Sequence, residues 1–262
     1  MKFLVFFSTC VLAASAGLID LDINILSAPT RAETRLVDAI TTADYNTAVS
    51  LILLLEKQSS GSIIEDTVNN LIRDGNRNVL EFAYKLWIGE GKEIVKHYFP
   101  VQFRQVLSES NVKIINKRDN LAIKLGAAAD SDNDRIAYGD ANDKSSENVS
   151  WKLIPLWENN RVYFKIYSVR RHQYLKLGTG TDGENDHSVY GDDRADTHRH
   201  QWYLKPAKLD NQVLFYIYNR QYNQALKLSR SVDSDGDRRA YSSSSSVEGQ
   251  PELFGWSISI LN

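Results

Sequence analysis

From residue 111 onwards apolar residues tend to alternate with polar ones, whereas between residues 30 and 110 they recur every three to four positions. Alternation places successive side chains on opposite faces of a strand. The longer spacing gathers them on one face of a helix. Within the alternating half, Ile123-Lys124-Leu125 returns as Leu175-Lys176-Leu177 and as Leu226-Lys227-Leu228, with the lysines 52 and 51 residues apart. A small polar residue precedes each lysine by eight positions: Asn116, Ser168, Asn219. A tyrosine follows each lysine by 14 positions (Tyr138, Tyr190, Tyr241), and a tryptophan follows 13, 12 and 15 positions later (Trp151, Trp202, Trp256). Such a period marks repeated structural units.

Each unit reads as four short strands, in the second copy roughly residues 162–167, 174–177, 188–190 and 201–204. Val, Ile, Tyr, Phe and Trp fill these runs, and Gly, Asn, Asp and Ser separate them. Three copies predict twelve strands. A propeller normally needs four blades or more, so the pattern predicts a closed barrel capped by hairpins with pseudo-threefold symmetry, a β-trefoil. Closure removes exposed sheet edges. Ile123 and Leu125 share a face, so Lys124 and its two counterparts are expected to point into water, with a shared anion or ligand role as the alternative. The three repeated tryptophans are expected in the barrel core.

The helical spacing between residues 30 and 110 predicts about six helices joined by short loops, an all-α bundle. Asp44 is placed to cap a helix carrying Tyr45, Ala48, Val49 and Ile52. Ser62 and Glu65 form a capping-box pattern, Gly75 ends that helix, and Asn78 is placed to cap the next. Leu51 to Leu55 is apolar all round, which predicts a central buried helix. The sharper reading gives Leu51, Leu54 and Leu55 to a bound lipid. The predicted organisation is a signal peptide at 1–16, a lead-in at 17–29, an α-helical domain at 30–110 and the β-trefoil at 111–262.

The signal is predicted from Lys2, the short apolar run that follows, and the small-residue site Ala14-Ser15-Ala16. It implies secretion. The only cysteine, Cys10, lies inside it, so no disulfide, cysteine nucleophile or cysteine-ligated zinc is expected. A formal net charge of −2 with interspersed signs argues against a general nucleic-acid binder. No later stretch has the length and apolarity of a membrane span. Asn148-Val149-Ser150 is the only glycosylation sequon.

Candidate chemistry is sparse. Asp130-x-Asp132-x-Asp134 and Asp233-x-Asp235-x-Asp237 resemble calcium loops, but the sixth and twelfth positions are Arg135 and Ala141, and Arg238 and Ser244, where an EF-hand needs Gly and Glu. They read as acidic hairpin loops between the second and third strands. His198-Arg199-His200 lacks further ligands fixed by spacing, so no metal is assigned. No nucleophile elbow, P-loop or dinucleotide fingerprint is present, and no enzyme activity or cofactor is expected. Each repeat does offer a tyrosine with acidic neighbours, as shallow sugar sites in trefoils do: Asp134, Tyr138 and Asp140; Asp186, Tyr190 and Asp192; Asp237 and Tyr241. Ser242–Ser246 takes the place of Gly139-Asp140 and Gly191-Asp192 in the third copy.

Longer stretches carry a family resemblance. They include Glu81-Phe82-Ala83-Tyr84-Lys85-Leu86-Trp87, Phe99-Pro100-Val101-Gln102-Phe103-Arg104, Gln201-Trp202-Tyr203-Leu204-Lys205-Pro206-Ala207 and the run from Trp151 to Ile166. Through them the chain closely resembles the insect 30-kDa haemolymph lipoproteins. The resemblance implies a secreted two-domain plasma protein, storage of amino acids, lipid transport, and sugar or fungal-glucan binding linked to immune defence. It also implies a cysteine pair where this chain has Val79 and Tyr98. A monomer is expected, with lipid as the leading ligand and glucose or glucan as the alternative.

Overall fold

The computed structural model describes residues 29–143 and 146–261. The expected signal peptide and nearly all of the lead-in lie outside the described residues.

Six helices come first: α1 (Pro29–Thr41), α2 (Tyr45–Lys57), α3 (Gly61–Arg73), α4 (Asn78–Ile88), α5 (Lys92–Tyr98) and α6 (Val101–Leu107). The strands follow: β1 (Val112–Asn116), β2 (Ala122–Leu125), β3 (Arg135–Asp140), β4 (Trp151–Glu158), β5 (Arg161–Ser168), β6 (Gln173–Thr181), β7 (His187–Asp192), β8 (Trp202–Leu209), β9 (Gln212–Asn219), β10 (Ala225–Leu228), β11 (Arg238–Ser243) and β12 (Gly255–Ile260). A four-residue helix, α7 (Pro251–Phe254), precedes the last strand.

Asp44 caps α2 as expected, its Oδ1 accepting from the Thr47 amide at 3.2 Å. Two other caps fall differently. Gly61 opens α3, so Ser62 and Glu65 lie inside the helix and make no capping box. Asn78 is already helical, and its side chain serves tertiary contacts instead: Nδ2 donates to the Thr41 carbonyl at 2.6 Å and Oδ1 accepts from Arg161 at 2.5 Å. Gly75, just past α3, has φ +63°, a conformation that suits a residue without a Cβ.

Six strands close on themselves through antiparallel pairs β1–β4, β4–β5, β5–β8, β8–β9, β9–β12 and β12–β1. Two-residue turns make the longest hairpins, Asn159-Asn160 between β4 and β5 and Asp210-Asn211 between β8 and β9. All four residues have positive φ, the type I′ geometry that matches strand twist. The remaining strands form hairpins β2–β3, β6–β7 and β10–β11. Their outer strands β3, β7 and β11 pair with one another in all three combinations, so the hairpins lock together as a triangle.

The three tryptophans are fully buried, as expected. Each indole Nε1 donates to the carbonyl just before a repeated lysine: Trp151 to Ile123 at 2.8 Å, Trp202 to Leu175 at 2.9 Å, Trp256 to Leu226 at 3.0 Å. A buried indole therefore carries no unpaired N–H, and the same bond ties the ring of six strands to each hairpin.

The helices share one continuous core with the strands. Phe103 of α6 meets Phe215 of β9 edge-on at 5.9 Å, and Trp157 of β4 packs against Tyr45 and Tyr84 at 6.4 and 5.6 Å.

Candidate functional site

The register of the hairpins places each repeated tyrosine directly across from its lysine: Tyr138 from Lys124, Tyr190 from Lys176, Tyr241 from Lys227. The lysines are not in water. Lys176 is 6% exposed, and the other two are mostly buried. Strand alternation turns them away from the buried apolar residues on either side, but the acidic loop of the preceding repeat, taken cyclically, folds over that face.

Each lysine takes one aspartate from its neighbouring repeat. Lys124 Nζ lies 2.6 Å from Asp237, Lys176 Nζ lies 2.6 Å from Asp134, and Lys227 contacts Asp186 closely. Two lysines take a second aspartate from their own repeat: Lys124 pairs with Asp140 at 3.0 Å and Lys176 with Asp192 at 2.6 Å. Ser243 stands at the corresponding place in the third repeat, and the nearest second carboxylate to Lys227 is Glu184 at 3.9 Å. A buried ammonium needs such pairing, since removing a charge from water is costly.

The electrostatics follow this geometry. Burial pulls the Asp192 carboxyl upward, but hydrogen bonds from Lys176, the Arg194 amide and His200 outweigh it and hold Asp192 well below the usual carboxylate range. Burial raises Asp134, only partly offset by Lys176. Burial tends to lower Lys124, yet its hydrogen bonds to Asp237 and Asp140 leave it raised. His200 is buried and lowered by desolvation, with Nε2 3.3 Å from Asp192 and Nδ1 2.9 Å from Thr197.

The calcium-like loops serve the hairpins. The first aspartate of each caps its own turn: Asp130 Oδ1 accepts from the amides of Asp132 and Asp134 at 3.0 and 2.9 Å, and Asp233 does the same for Asp235 and Asp237 at 3.0 and 2.9 Å. Asp182 repeats the pattern toward Glu184 and Asp186, at 2.9 and 3.0 Å. Among the described residues no three His, Cys, Asp or Glu side chains converge as metal ligands would. His198 is exposed and His200 buried, on a single 3-10 turn.

Two cavities open between these loops. One, about 320 Å³, is bordered by Lys227, Asp186, Tyr241, Ser245, Arg230 and Gln250 among others. The other, about 620 Å³, is bordered by Asp134, Lys176, Tyr190, Arg194, Arg239 and Tyr241 among others. The acidic and tyrosine positions singled out in the sequence thus gather around the lysines, and Tyr190 and Tyr241, from different repeats, share one cavity. Asp140, Asp192 and Asp237 line neither of these two.

Leu51 and Leu55 lie in the core and Leu54 is half-buried; Leu53, next to it, is 37% exposed. Asn148 is exposed and Ser150 of its sequon buried. No described helix is long and apolar enough to cross a membrane.

Sequence reasoning missed a buried charge cluster where the helices pack on the strands. There Glu81 is fully buried, 2.6 Å from Arg77 Nε and 3.8 Å from Arg161. Burial pushes its carboxyl up to about 7, against the pull of Arg77 and Arg161. Neither carboxylate oxygen has a well-directed hydrogen bond to repay desolvation. Arg77 also donates to the Val162 carbonyl at 3.0 Å and lies over the rings of Tyr203 and Tyr163, at 4.0 and 5.0 Å. The i, i+4 spacing of Arg77 and Glu81 is a readable signal for their pair, but no spacing rule brings in Arg161 or says that the pair is buried.

A family model described as lepidopteran low molecular weight (30 kD) lipoprotein matches residues 30–260. The chain is 48% identical over 261 residues to low molecular mass lipoprotein PBMHP-12 of Bombyx mori, covering 98% of this chain and 99% of that one. It is 54% identical over 215 residues to microvitellogenin of Manduca sexta, covering 82% and 86%. Low molecular mass lipoprotein 3 of Bombyx mori is 47% identical over 226 residues, covering 86% and 88%.

Proposed function

The chain belongs to the lepidopteran low molecular weight (30 kD) lipoprotein family, and on that premise we propose that it is a secreted, non-catalytic storage and lipid-carrier protein of the haemolymph. Its architecture in this reading is a helical domain at 30–110 followed by a β-trefoil at 111–262. The closed ring of six strands, the triangle of three hairpins and the threefold Trp–carbonyl bond support the trefoil assignment. The near full-length match to lipoproteins is the observation that carries the functional reading. The non-catalytic reading is supported by the pairing of Asp134, Asp140, Asp186, Asp192 and Asp237 with lysines, which commits these carboxylates to holding the repeats together.

In this reading lipid would meet α2 at half-buried Leu54 beside exposed Leu53, and the burial of Leu51 and Leu55 makes them the packed layer behind. Native mass spectrometry with organic extraction, on protein from its source fluid, tests the reading. A stoichiometric lipid is expected, and its amount should fall in a folded Leu54→Ser variant. A lipid-free mass would reject the carrier role and leave storage.

Carbohydrate recognition in defence is the second reading. The observation favouring it is the larger cavity, where Asp134, Tyr190 and Tyr241 combine a polar rim with aromatic rings. A titration with glucose or a soluble glucan that produces no heat at millimolar ligand would reject it.

A further inference from the structure

The three lysines form an internal comparison in which one member differs. Lys124 and Lys176 each sit between two aspartates, whereas Lys227 has one. The difference can be traced to single atoms. Asp140 uses Oδ1 to accept from the Asn142 amide at 2.8 Å, and Asp192 uses Oδ1 to accept from the Arg194 amide at 2.9 Å. Ser243 keeps that turn contact, its Oγ accepting from the Ser245 amide at 3.3 Å. What the serine lacks is the other carboxylate oxygen, the Oδ2 that faces lysine in the first two repeats.

Ser243 is itself buried and lines neither cavity, but the smaller cavity is bordered by Lys227, the lysine that lacks this oxygen, just as the larger one is bordered by Lys176. The cavity beside Lys227 is the smaller of the two. At about 320 Å³ it lies near the lower end of ligand pockets. Lys227 lines it with a side chain only 14% exposed, so its ammonium is largely withdrawn from solvent with one close carboxylate partner. Asp186 lines it too, with a side chain 4% exposed, and its Oδ1 is buried without a hydrogen-bond partner, as is that of its counterpart Asp134. Arg230 stands exposed on the rim and makes no ion pair among the described residues. Tyr241 and Ser245 add hydroxyls.

We propose that this cavity binds a small hydroxylated carboxylate, such as a sugar acid, whose carboxylate gives Lys227, from the cavity side, the second carboxylate partner that Lys124 and Lys176 have within the chain. A ligand hydroxyl donates to Asp186 Oδ1, and Arg230 draws the anion in. The charge balance is one the protein already accommodates: Lys227 with Asp186 is neutral, and a bound carboxylate brings it to the state of the other two lysines. Glu184, 83% exposed and 3.9 Å from Lys227, is the competing anion within the chain. This assignment requires a negative group together with hydroxyls, at a cavity that no residue of α2 lines, so it is separate from both the lipid-carrier and the neutral-sugar readings.

Calorimetric titration of the full chain with glucuronate tests it, with glucose as the neutral control of the same ring and inorganic phosphate as an anion without hydroxylated carbons. Glucuronate is expected to bind at least tenfold more tightly than either. Ser243→Asp supplies the missing oxygen from within, so it should weaken glucuronate at least tenfold while raising the melting temperature. Glu184→Gln, an exposed change that leaves the fold alone, should tighten binding about threefold. Absence of heat at millimolar glucuronate, equal binding of glucose, or equal binding of phosphate would overturn the proposal. So would affinities unchanged in both variants.

Discussion

Lys124 of β2 lies 2.6 Å from Asp237 at the foot of β11, so the first repeat is tied directly to the third. Lys176 to Asp134 and Lys227 to Asp186 make the other two ties, and the set forms a cycle. Each tie joins hairpins that also pair through their outer strands. The cycle therefore specifies which hairpin sits beside which.

Asp192→Asn should be the most damaging change in this cycle. It leaves Lys176, nearly without solvent, facing only Asp134, and breaking a buried pair in this way costs on the order of 3 kcal/mol. Asp237→Asn should cost less, about 1–2 kcal/mol, because Lys124 keeps Asp140 and is one-fifth exposed. Urea unfolding of both variants checks the order. The wild-type Asp192 is held below its unfolded value, so its contribution is present above the usual aspartate pKa and is lost as pH falls through its folded value. Asp192→Asn should flatten that acid limb.

Trp202→Phe keeps an aromatic ring but removes the donor to the Leu175 carbonyl. The lost bond and the small void together predict about 2–3 kcal/mol of destabilisation. Trp151→Phe and Trp256→Phe should behave alike, since both make the equivalent bond. Chemical denaturation measures all three, and a cost near zero in any of them would show that its indole bond is dispensable.

Glu81 has a folded pKa pushed up to about 7, above its unfolded value. The folded state therefore holds this proton more tightly, and stability falls as pH rises from about 5 to about 7. At full amplitude the loss is on the order of 3 kcal/mol. In Glu81→Gln that slope should vanish, while the amide keeps the carboxyl's volume against Arg77. Melting temperatures across this pH window decide it, and an unchanged slope would place the titration elsewhere.

On α2, Leu51→Ala should cost about 2–4 kcal/mol, because Leu51 is fully buried among core residues. Leu53→Ala, at an exposed position, should change stability by less than about 0.5 kcal/mol. Equal costs would mean that α2 packs with a different face.

Several features were legible in the sequence for a local reason. Helix and strand periods depend on residues a few positions apart, and the Lys–Tyr spacing survives because Tyr138 lies across from Lys124 within one hairpin. The cap at Asp44 was readable on the same basis. The cap assigned to Asn78 was not, because its side chain is claimed by Thr41 and Arg161, from other elements. The substitution of Ser243 for Asp140 and Asp192 was visible in the repeat. Its meaning was not, because nothing in the sequence said that those aspartates touch lysines.

By itself, the sequence determined the threefold repeat, the switch from helical to strand spacing, the family and the burial of the three tryptophans. These follow from periodicity, composition and local likeness. Only the tertiary structure decided that the repeated lysines are buried. Alternation tells which way a side chain leaves its strand, but not whether another segment covers it. For Lys124, Lys176 and Lys227 the covering segment is the acidic loop of a neighbouring repeat, brought there by closure of the whole barrel.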